Sequence, residues 1–91
     1  MIYLDNNATT KIDNIVLQEM LPFLQEEYAN ASSMYEFACK PSEAIKTARV
    51  QVRDFIGAKD EKEVIFTSCG SESSNMAIKG VVNEGKSKKT Y

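Results

Sequence analysis

The sequence is informative first in what it lacks. It has no histidine and no tryptophan, and its only cysteines are Cys39 and Cys69. Two cysteines without histidine are too few for the usual structural zinc sites, so no metal centre is expected. The net charge is −2, from 11 basic and 13 acidic residues. This balance gives no indication of nucleic acid or an anionic membrane as the main partner.

Long apolar runs are also missing. No run approaches the roughly 20 residues that a membrane-spanning helix needs. Residues 1–10 lack the charged and apolar regions of a secretory signal, so they are interpreted as mature sequence. A cytoplasmic protein with reduced thiols is the resulting expectation. The 91 residues, 43% of them hydrophobic, are enough for one small domain with a modest core.

Apolar spacing predicts the order strand, helix, loop, helix, strand, helix. The predicted elements are strands at 2–5 and 64–68 and helices at about 15–25, 43–56 and 72–84. Asp13 and Ser42 are the predicted N-caps of the first two helices. Gly57 is predicted to end the second helix in a left-handed conformation, and Gly85 to end the third. Pro22 is expected to kink or restart the first helix.

This order is typical of α/β architecture. The strand at 64–68 is of the apolar kind that is buried in parallel sheets, and one other short strand leaves it incompletely paired. The sequence is therefore interpreted as the beginning of a larger domain. Four segments are expected: a strand and helix at 1–27, an irregular loop at 28–41, the start of the larger domain at 42–85 and a basic tail at 86–91.

Residues 65–75, IFTSCGSESSN, join the second predicted strand to the third predicted helix. The first amides of a helix lack internal partners and the helix dipole is positive there, so such a junction can bind phosphate without a basic side chain. Gly70 would let the backbone approach the phosphate, and the Ser71 hydroxyl would donate to it or cap the helix. Glycine and serine are common at any turn into a helix, so a purely structural junction stays open.

Two further stretches carry polar or reactive groups. Residues 4–10, LDNNATT, fit either a polar turn after a strand or a set of amides and hydroxyls facing a polar ligand. Cys39 follows a loop and is interpreted as an inert thiol. Cys69 lies near a helix N-terminus, where the pKa of a thiol is lowered, but it is interpreted first as a small packing residue at a strand end.

Three motifs in register resemble the N-terminal part of cysteine desulfurases. They are YLDNNATT at 3–10, NASS at 30–33 and FTSCGSESSN at 66–75. Cysteine desulfurases are pyridoxal 5′-phosphate (PLP) enzymes of the class V aminotransferase group. The resemblance covers essentially the whole chain and implies the N-terminal part of a fold type I, PLP-dependent transferase. The loop at 28–41 would then lie near the active site, and the large PLP-binding domain would begin at residue 42.

The resemblance also implies a reaction and a cofactor. PLP would act as an electron sink while sulfur passes from L-cysteine to an enzyme cysteine, leaving L-alanine and a persulfide for iron–sulfur cluster or thio-cofactor assembly. Gly70 and Ser71 match the family's phosphate-binding turn, where threonine is common at the second position. Four residues match a substrate-proximal segment at the mouth of the active site: Asn6, Asn7, Ala8 and Thr9. The intact enzyme is expected to be a homodimer that passes sulfur to a scaffold protein.

The chain departs from the family pattern in two respects. The family usually has proline where Ala31 stands and histidine near Tyr35 and Glu36, so no role is carried over to that loop. None of the lysines lies in the context of the family's Schiff-base lysine, and neither Cys39 nor Cys69 matches the persulfide cysteine. No catalytic residue is therefore assigned, and the 91 residues alone are expected to be inactive.

Three alternatives stay open at the level of the sequence. A selenocysteine lyase, or another class V enzyme, would share these residues. A non-catalytic phosphate-binding or assembly module would pair with a separately encoded remainder. A decayed coding remnant would fold poorly.

Overall fold

The computed structural model describes residues 1–88, with side chains described as far as Gly85. Three α-helices follow one another: α1 at Asn14–Gln25, α2 at Cys39–Ile56 and α3 at Gly70–Lys88. Two short 3-10 helices lie between them, at Glu36–Ala38 and Glu61–Glu63. The chain divides into two compact units, Met1–Gln51 and Val52–Tyr91, each of which is described by itself.

Helix α1 begins where local chemistry predicts. The Asp13 side chain accepts a hydrogen bond from the backbone N–H of Ile15 at 2.8 Å, which confirms Asp13 as the N-cap. The helix runs without interruption through Pro22, so the predicted restart does not occur. At its C-terminal end, the N–H groups of Glu26 and Glu27 both donate to the Pro22 carbonyl, at 2.9 and 2.8 Å. These bonds satisfy a carbonyl of the last turn.

The segment between α1 and α2 is irregular but internally bonded. The rings of Tyr28 and Phe37 meet edge to face with centroids 5.2 Å apart. Lys40 Nζ lies 3.2 Å from a carboxylate oxygen of Glu27, which joins the two ends of the segment. The Asn30 side chain accepts the N–H of Ser32 at 3.0 Å, as in an Asx turn.

Helix α2 begins at Cys39, three residues before the predicted cap Ser42. Pro41, the last residue of the predicted loop, lies in the first turn of the helix. The N–H groups of the first turn have no partner within the helix, so the missing proline N–H breaks no helical bond. The predicted start at residue 43, with Ser42 as the N-cap, is therefore wrong, and the loop is correspondingly shorter.

The C-terminus of α2 has the predicted glycine stop. Gly57 has a φ of 74°, the left-handed conformation that glycine adopts without steric cost. Its N–H bonds the Asp54 carbonyl at 3.3 Å, and the N–H of Ala58 bonds the Arg53 carbonyl at 3.0 Å. This pair of bonds is a Schellman motif, and it confirms the prediction for Gly57.

The connector that follows is more ordered than its charge suggests. Asp60 and Glu63 form a reciprocal capping box around a single 3-10 turn. The Glu63 carboxylate accepts the N–H groups of Lys59 and Asp60 at 2.8 and 2.9 Å. The five consecutive charged residues at 59–63 therefore contain a turn that is closed by hydrogen bonds from its own side chains.

The predicted sheet is not confirmed, since no residue between 1 and 88 is assigned to a strand. At the segment predicted as the buried strand, Val64 is extended, with φ −102° and ψ 121°, and is 8% exposed. Ile65 and Phe66 are exposed. The segment at 2–5 is exposed throughout. A strand exists only when a neighbour completes its hydrogen bonds, and extended dihedrals do not supply that partner.

Helix α3 is longer at both ends than predicted. It begins at Gly70 rather than Glu72 and continues past Gly85 to Lys88. Among the described residues, Gly57 is the one glycine with a positive φ, so Gly85 does not end the helix. A glycine inside a helix costs only about 1 kcal/mol relative to alanine, which the surrounding turns tolerate. Of the predicted tail at 86–91, residues 89–91 lie outside the described residues.

Burial is sparse in the part of the chain that the structure describes. Ala38 and Val64 are its buried hydrophobic residues, at 1% and 8% exposure. The apolar side of α1 instead lines an open groove of about 380 Å³, formed by Ile15, Val16, Glu19, Met20, Phe23 and Leu24. None of the described helices combines the length and apolarity needed to cross a membrane.

Candidate functional site

The turn predicted to bind phosphate lies at the N-terminus of α3. Gly70 and Ser71 are the first two residues of that helix, and the Cys69 carbonyl accepts its first helical bond, from the N–H of Ser73 at 3.2 Å. The N–H groups of Gly70 and Ser71 precede the first helical donor, so they have no carbonyl partner within the helix. A helix of 19 residues places the positive end of its dipole at this turn.

The Glu72 carboxylate reaches back across the turn to Ser68. One of its oxygens, Oε2, accepts the Ser68 N–H at 3.0 Å and the Ser68 hydroxyl at 2.5 Å. The Ser68 hydroxyl, and then the Ser68 N–H, lower the pKa of Glu72 because both bonds favour the charged carboxylate. We call this pair of bonds the Glu72–Ser68 bridge.

A second set of bonds links Thr67 to the same helix end. The Thr67 hydroxyl donates to the Cys69 carbonyl at 3.1 Å, and Thr67 Oγ1 lies 2.5 Å from Ser73 Oγ. Because Thr67 has one hydroxyl proton and gives it to the carbonyl, Ser73 is the donor in the second bond. With the bond from Ser73 N–H to the Cys69 carbonyl, the three residues form a closed set, called here the Thr67 ring.

The Cys69 thiol lies at the N-cap position of α3. Its pKa is lowered, chiefly by the backbone N–H of Glu72 and further by the N–H of Ser71, while desolvation opposes the shift. The Ser68 hydroxyl has one proton, which it donates to Glu72, so it is not a second donor to the sulfur. Ser68 Oγ lies 3.7 Å from the sulfur. Cys69 is a free, exposed thiol, so its interpretation as a packing residue is wrong. The sulfur and an anion at this turn would both draw on the Ser71 N–H.

The turn has the features that an anion site needs. A Cβ placed on Gly70 would meet nothing within 4 Å, so the space beside its backbone is open. Ser71 is exposed. Its carbonyl accepts a hydrogen bond from Asn75 Nδ2 at 2.8 Å, and that bond does not involve the Ser71 N–H. Backbone N–H groups, a hydroxyl and a helix dipole at one exposed point can bind a phosphate group.

The segment predicted to be substrate-proximal forms a separate polar turn. The Asp5 carbonyl accepts the N–H groups of Ala8 and Thr9 at 3.0 and 3.3 Å. The hydroxyls of Tyr3 and Thr9 lie 2.6 Å apart and close the turn from the side. All four predicted residues, Asn6, Asn7, Ala8 and Thr9, are exposed. They lie in the first compact unit and Gly70 and Ser71 in the second, and their predicted role stays a prediction.

A shallow cavity of about 290 Å³ lies beside the NASS motif. It is lined by Ala31, Ser33, Met34, Tyr35, Ala38, Cys39, Ser42 and Glu43. Cys39 is a free thiol at its edge, where α2 begins. Among the described residues, no group of three or more potential metal ligands comes together here or elsewhere.

The sequence interpretation missed what holds the turn together. The third helix was predicted to begin at Glu72, and no link from that residue to Ser68 was predicted. The signal was available, because a serine followed by a glutamate resembles a capping box. The spacing in the chain is one residue longer than that motif, so the pattern is not recognised by its usual form. The Thr67 ring has no comparable signature.

Comparison with known proteins gives a consistent set of matches. The aminotransferase class-V family model matches residues 2–90. A cysteine desulfurase of a Nostoc species is 49% identical over 82 residues, which cover 90% of this chain and 20% of that protein. Cysteine desulfurase NifS of Azotobacter vinelandii is 43% identical over 89 residues, covering 98% and 22%. A cysteine desulfurase of Sinorhizobium fredii is 53% identical over 77 residues, covering 85% and 20%.

These matches extend over nearly all of the chain but a small part of each relative. The chain spans about a fifth of the length of the curated relatives it matches, 20% of the Nostoc protein and 22% of the Azotobacter protein. No solved structure matches the chain significantly.

Proposed function

The chain belongs to the aminotransferase class-V family, and from that premise we propose that its turn at Gly70 and Ser71 binds the phosphate of PLP in a cysteine desulfurase. The observation that carries the proposal is the position of these two residues at the start of α3. The three relatives described above are named cysteine desulfurases, which supports this reaction class over the selenocysteine lyase alternative.

The residues present fit the phosphate end of this cofactor. A phosphate needs several donors at one point and little steric obstruction, and an exposed helix start with Gly70 in first position offers both. The carboxylate in the first turn of α3, that of Glu72, is engaged with Ser68 through two hydrogen bonds. Its negative charge is therefore stabilised by donors that are separate from those offered to the phosphate.

Each residue of the turn has a distinct proposed task. The N–H groups of Gly70 and Ser71 donate to phosphate oxygens, and the exposed Ser71 hydroxyl adds a third donor. When bound, PLP supplies the electron sink for chemistry at the amino-acid carbon. The exposed amides and hydroxyls of Asn6, Asn7 and Thr9 are proposed to face the amino-acid substrate at the mouth of the site.

The remaining assignments concern the intact enzyme. We propose L-cysteine as substrate, L-alanine as product, and sulfur transfer through an enzyme persulfide to a scaffold protein for iron–sulfur or thio-cofactor assembly. A homodimer with the α/β, fold type I architecture is proposed for that enzyme, in the cytoplasm, where the free thiols Cys39 and Cys69 would stay reduced. The 91 residues alone are proposed to have no turnover, because none of their lysines matches the Schiff-base lysine.

Two substitutions at Gly70 test the phosphate site. Gly70→Pro removes the backbone donor at the helix position where proline is best tolerated, and Gly70→Ala keeps the donor. A charge-assisted hydrogen bond contributes about 1.5–3 kcal/mol, so Gly70→Pro should weaken PLP binding by about tenfold or more. Binding is followed by the amide chemical shifts of residues 70–73 during titration of the isotope-labelled chain with PLP.

Gly70→Ala is the matched control, and it should bind PLP with a much smaller loss because an added Cβ meets no protein atom. Pyridoxal, which lacks the phosphate, should leave the amides of residues 70–73 unshifted. Equal shifts with pyridoxal and PLP, or equal affinity of the two variants, would refute the phosphate site. Release of sulfide from L-cysteine by the chain with added PLP would refute the proposed lack of turnover.

A further inference from the structure

Glu72 places a carboxylate in the first turn of α3, beside the residues that are proposed to bind an anion. A carboxylate close to an anion-binding turn would be expected to repel the anion. The structure instead uses this carboxylate to bond Ser68, two residues before the helix begins, at 3.0 Å through the N–H and at 2.5 Å through the hydroxyl. The chain between those two partners contains both proposed phosphate donors, Gly70 and Ser71.

The bridge connects residues on the two sides of the proposed phosphate donors. Ser68 and Glu72 are joined through one carboxylate oxygen, and the Thr67 ring ties the preceding residue to Ser73. Residues 68–72 are thus closed at both ends by side-chain bonds. The Gly70 and Ser71 N–H groups, at the start of α3, lie within this closed segment. Donors that are ordered before the ligand arrives lose less conformational entropy on binding.

We propose that Glu72 is a positioning residue of the phosphate-binding turn, which orients the Gly70 and Ser71 donors through its bridge to Ser68. The inference rests on the proposed function for the identity of the ligand, but the bridge itself is present without any ligand. Glu72 touches neither substrate nor cofactor in this account. It acts through Ser68 and the backbone that the bridge encloses.

The sign of one mutational effect separates positioning from charge. If Glu72 acted only as a nearby negative charge, its removal would strengthen the binding of an anion. If it positions the donors, removal weakens binding although a repulsive charge has been lost. Glu72→Ala is therefore expected to bind PLP about tenfold more weakly than the unchanged chain.

Two conservative variants separate the contribution of the Glu72 charge from that of its side-chain length. Glu72→Gln keeps the length and an acceptor oxygen but loses the charge, so it should retain much of the affinity. Glu72→Asp keeps the charge but is shorter by one methylene and cannot span the same distance, so it should resemble Glu72→Ala. Glu19→Gln, on the exposed groove of α1, is the matched control and should leave PLP binding unchanged.

The amide of Ser68 provides a readout that needs no ligand. Its hydrogen exchange should be faster, and the Gly70 and Ser71 amide shifts should move, in Glu72→Ala and Glu72→Asp. Unchanged Ser68 exchange in these variants, or PLP affinity that rises or stays equal, would overturn the proposal. If the unchanged chain fails to bind PLP at all, the proposed function fails, and Ser68 exchange still decides whether Glu72 positions the turn.

Discussion

Two polar turns of this chain look alike in sequence and are built differently. The turn at residues 5–9 is closed by two backbone bonds to the Asp5 carbonyl and one contact between the Tyr3 and Thr9 hydroxyls. The turn at residues 67–73 leads directly into a helix, and it is closed by the Glu72–Ser68 bridge and the Thr67 ring. A turn that is continuous with a helix can form hydrogen bonds with the side chains of the first helical turn. An isolated turn can form them only among its own residues.

The difference explains why one turn is the stronger candidate site. Donors at residues 70 and 71 are fixed by neighbours within five positions along the chain. The amides and hydroxyls at residues 6–9 belong to a turn that is closed by one side-chain hydrogen bond, between the uncharged Tyr3 and Thr9 hydroxyls. Ligand-binding groups need support from the residues around them, and only the second turn supplies much of it locally.

Removal of the Thr67 hydroxyl should disturb the second turn most. Thr67→Val keeps the shape of the side chain and breaks the bonds to Ser73 and the Cys69 carbonyl. Loss of a hydrogen bond at a helix end costs about 1 kcal/mol, so exchange of the Ser73 amide, which donates to the Cys69 carbonyl, should become about fivefold faster. Hydrogen exchange followed by NMR measures it.

Thr47→Val, at an exposed position of α2, is the control for the change of residue type. It should leave exchange at residues 70–73 as it is. If Thr67→Val and Thr47→Val behave alike at those residues, the Thr67 ring does not order the turn, and the contrast between the two turns is lost.

Lowering the pH should affect the second turn and not the first, and the effect should be smaller than that of Thr67→Val. The pKa of Glu72 is lowered, first by the Ser68 hydroxyl and then by its N–H. A lowered pKa in the folded state means that the carboxylate's contribution is complete above its ordinary value and is lost as the pH falls through the lowered one. The Ser68 amide shift should therefore change only below the ordinary carboxyl range, while the contact between Tyr3 and Thr9 persists.

The Glu72→Gln chain is the reference for this titration, because it has no carboxyl at that position. Its Ser68 amide should not follow the same transition. A Ser68 shift that titrates within the ordinary glutamate range in the unchanged chain would contradict the bridge.

The smallest effect is expected from Tyr3→Phe. It removes one hydroxyl from an exposed contact, and exposed hydrogen bonds of this kind change the free energy of unfolding by no more than about 0.5 kcal/mol. The Thr9 amide should shift, and the amides of α1 and of residues 67–73 should not. A change in unfolding free energy as large as that of Thr67→Val would show that the first turn is the more strongly supported of the two.

Features fixed within a few residues of sequence were predictable. Asp13 caps α1 and Gly57 ends α2 as expected, because each depends on one side chain or one backbone angle. The start of α2 was missed because Pro41 was placed at the end of the predicted loop, although the first turn of a helix tolerates proline. The strands at 2–5 and 64–68 were not found because pairing depends on partners that the local sequence does not specify.

The candidate site shows the same division. The position of Gly70 and Ser71 at a helix start followed from the glycine and serine pattern. The contact between Glu72 and Ser68 was equally local, but its spacing differs by one residue from the familiar capping box. The link between the turn and PLP came from the resemblance to a family, since a helix start binds many anions and its geometry alone selects none.

Among the described residues, Ala38 and Val64 are the buried hydrophobic residues, and this small buried apolar surface has a calorimetric consequence. Heat capacity and denaturant sensitivity on unfolding both scale with the apolar surface that becomes exposed. Most large hydrophobic side chains of the described residues are already in contact with water. The chain by itself should therefore melt over a broad temperature range, with a small heat-capacity step and a shallow dependence on urea.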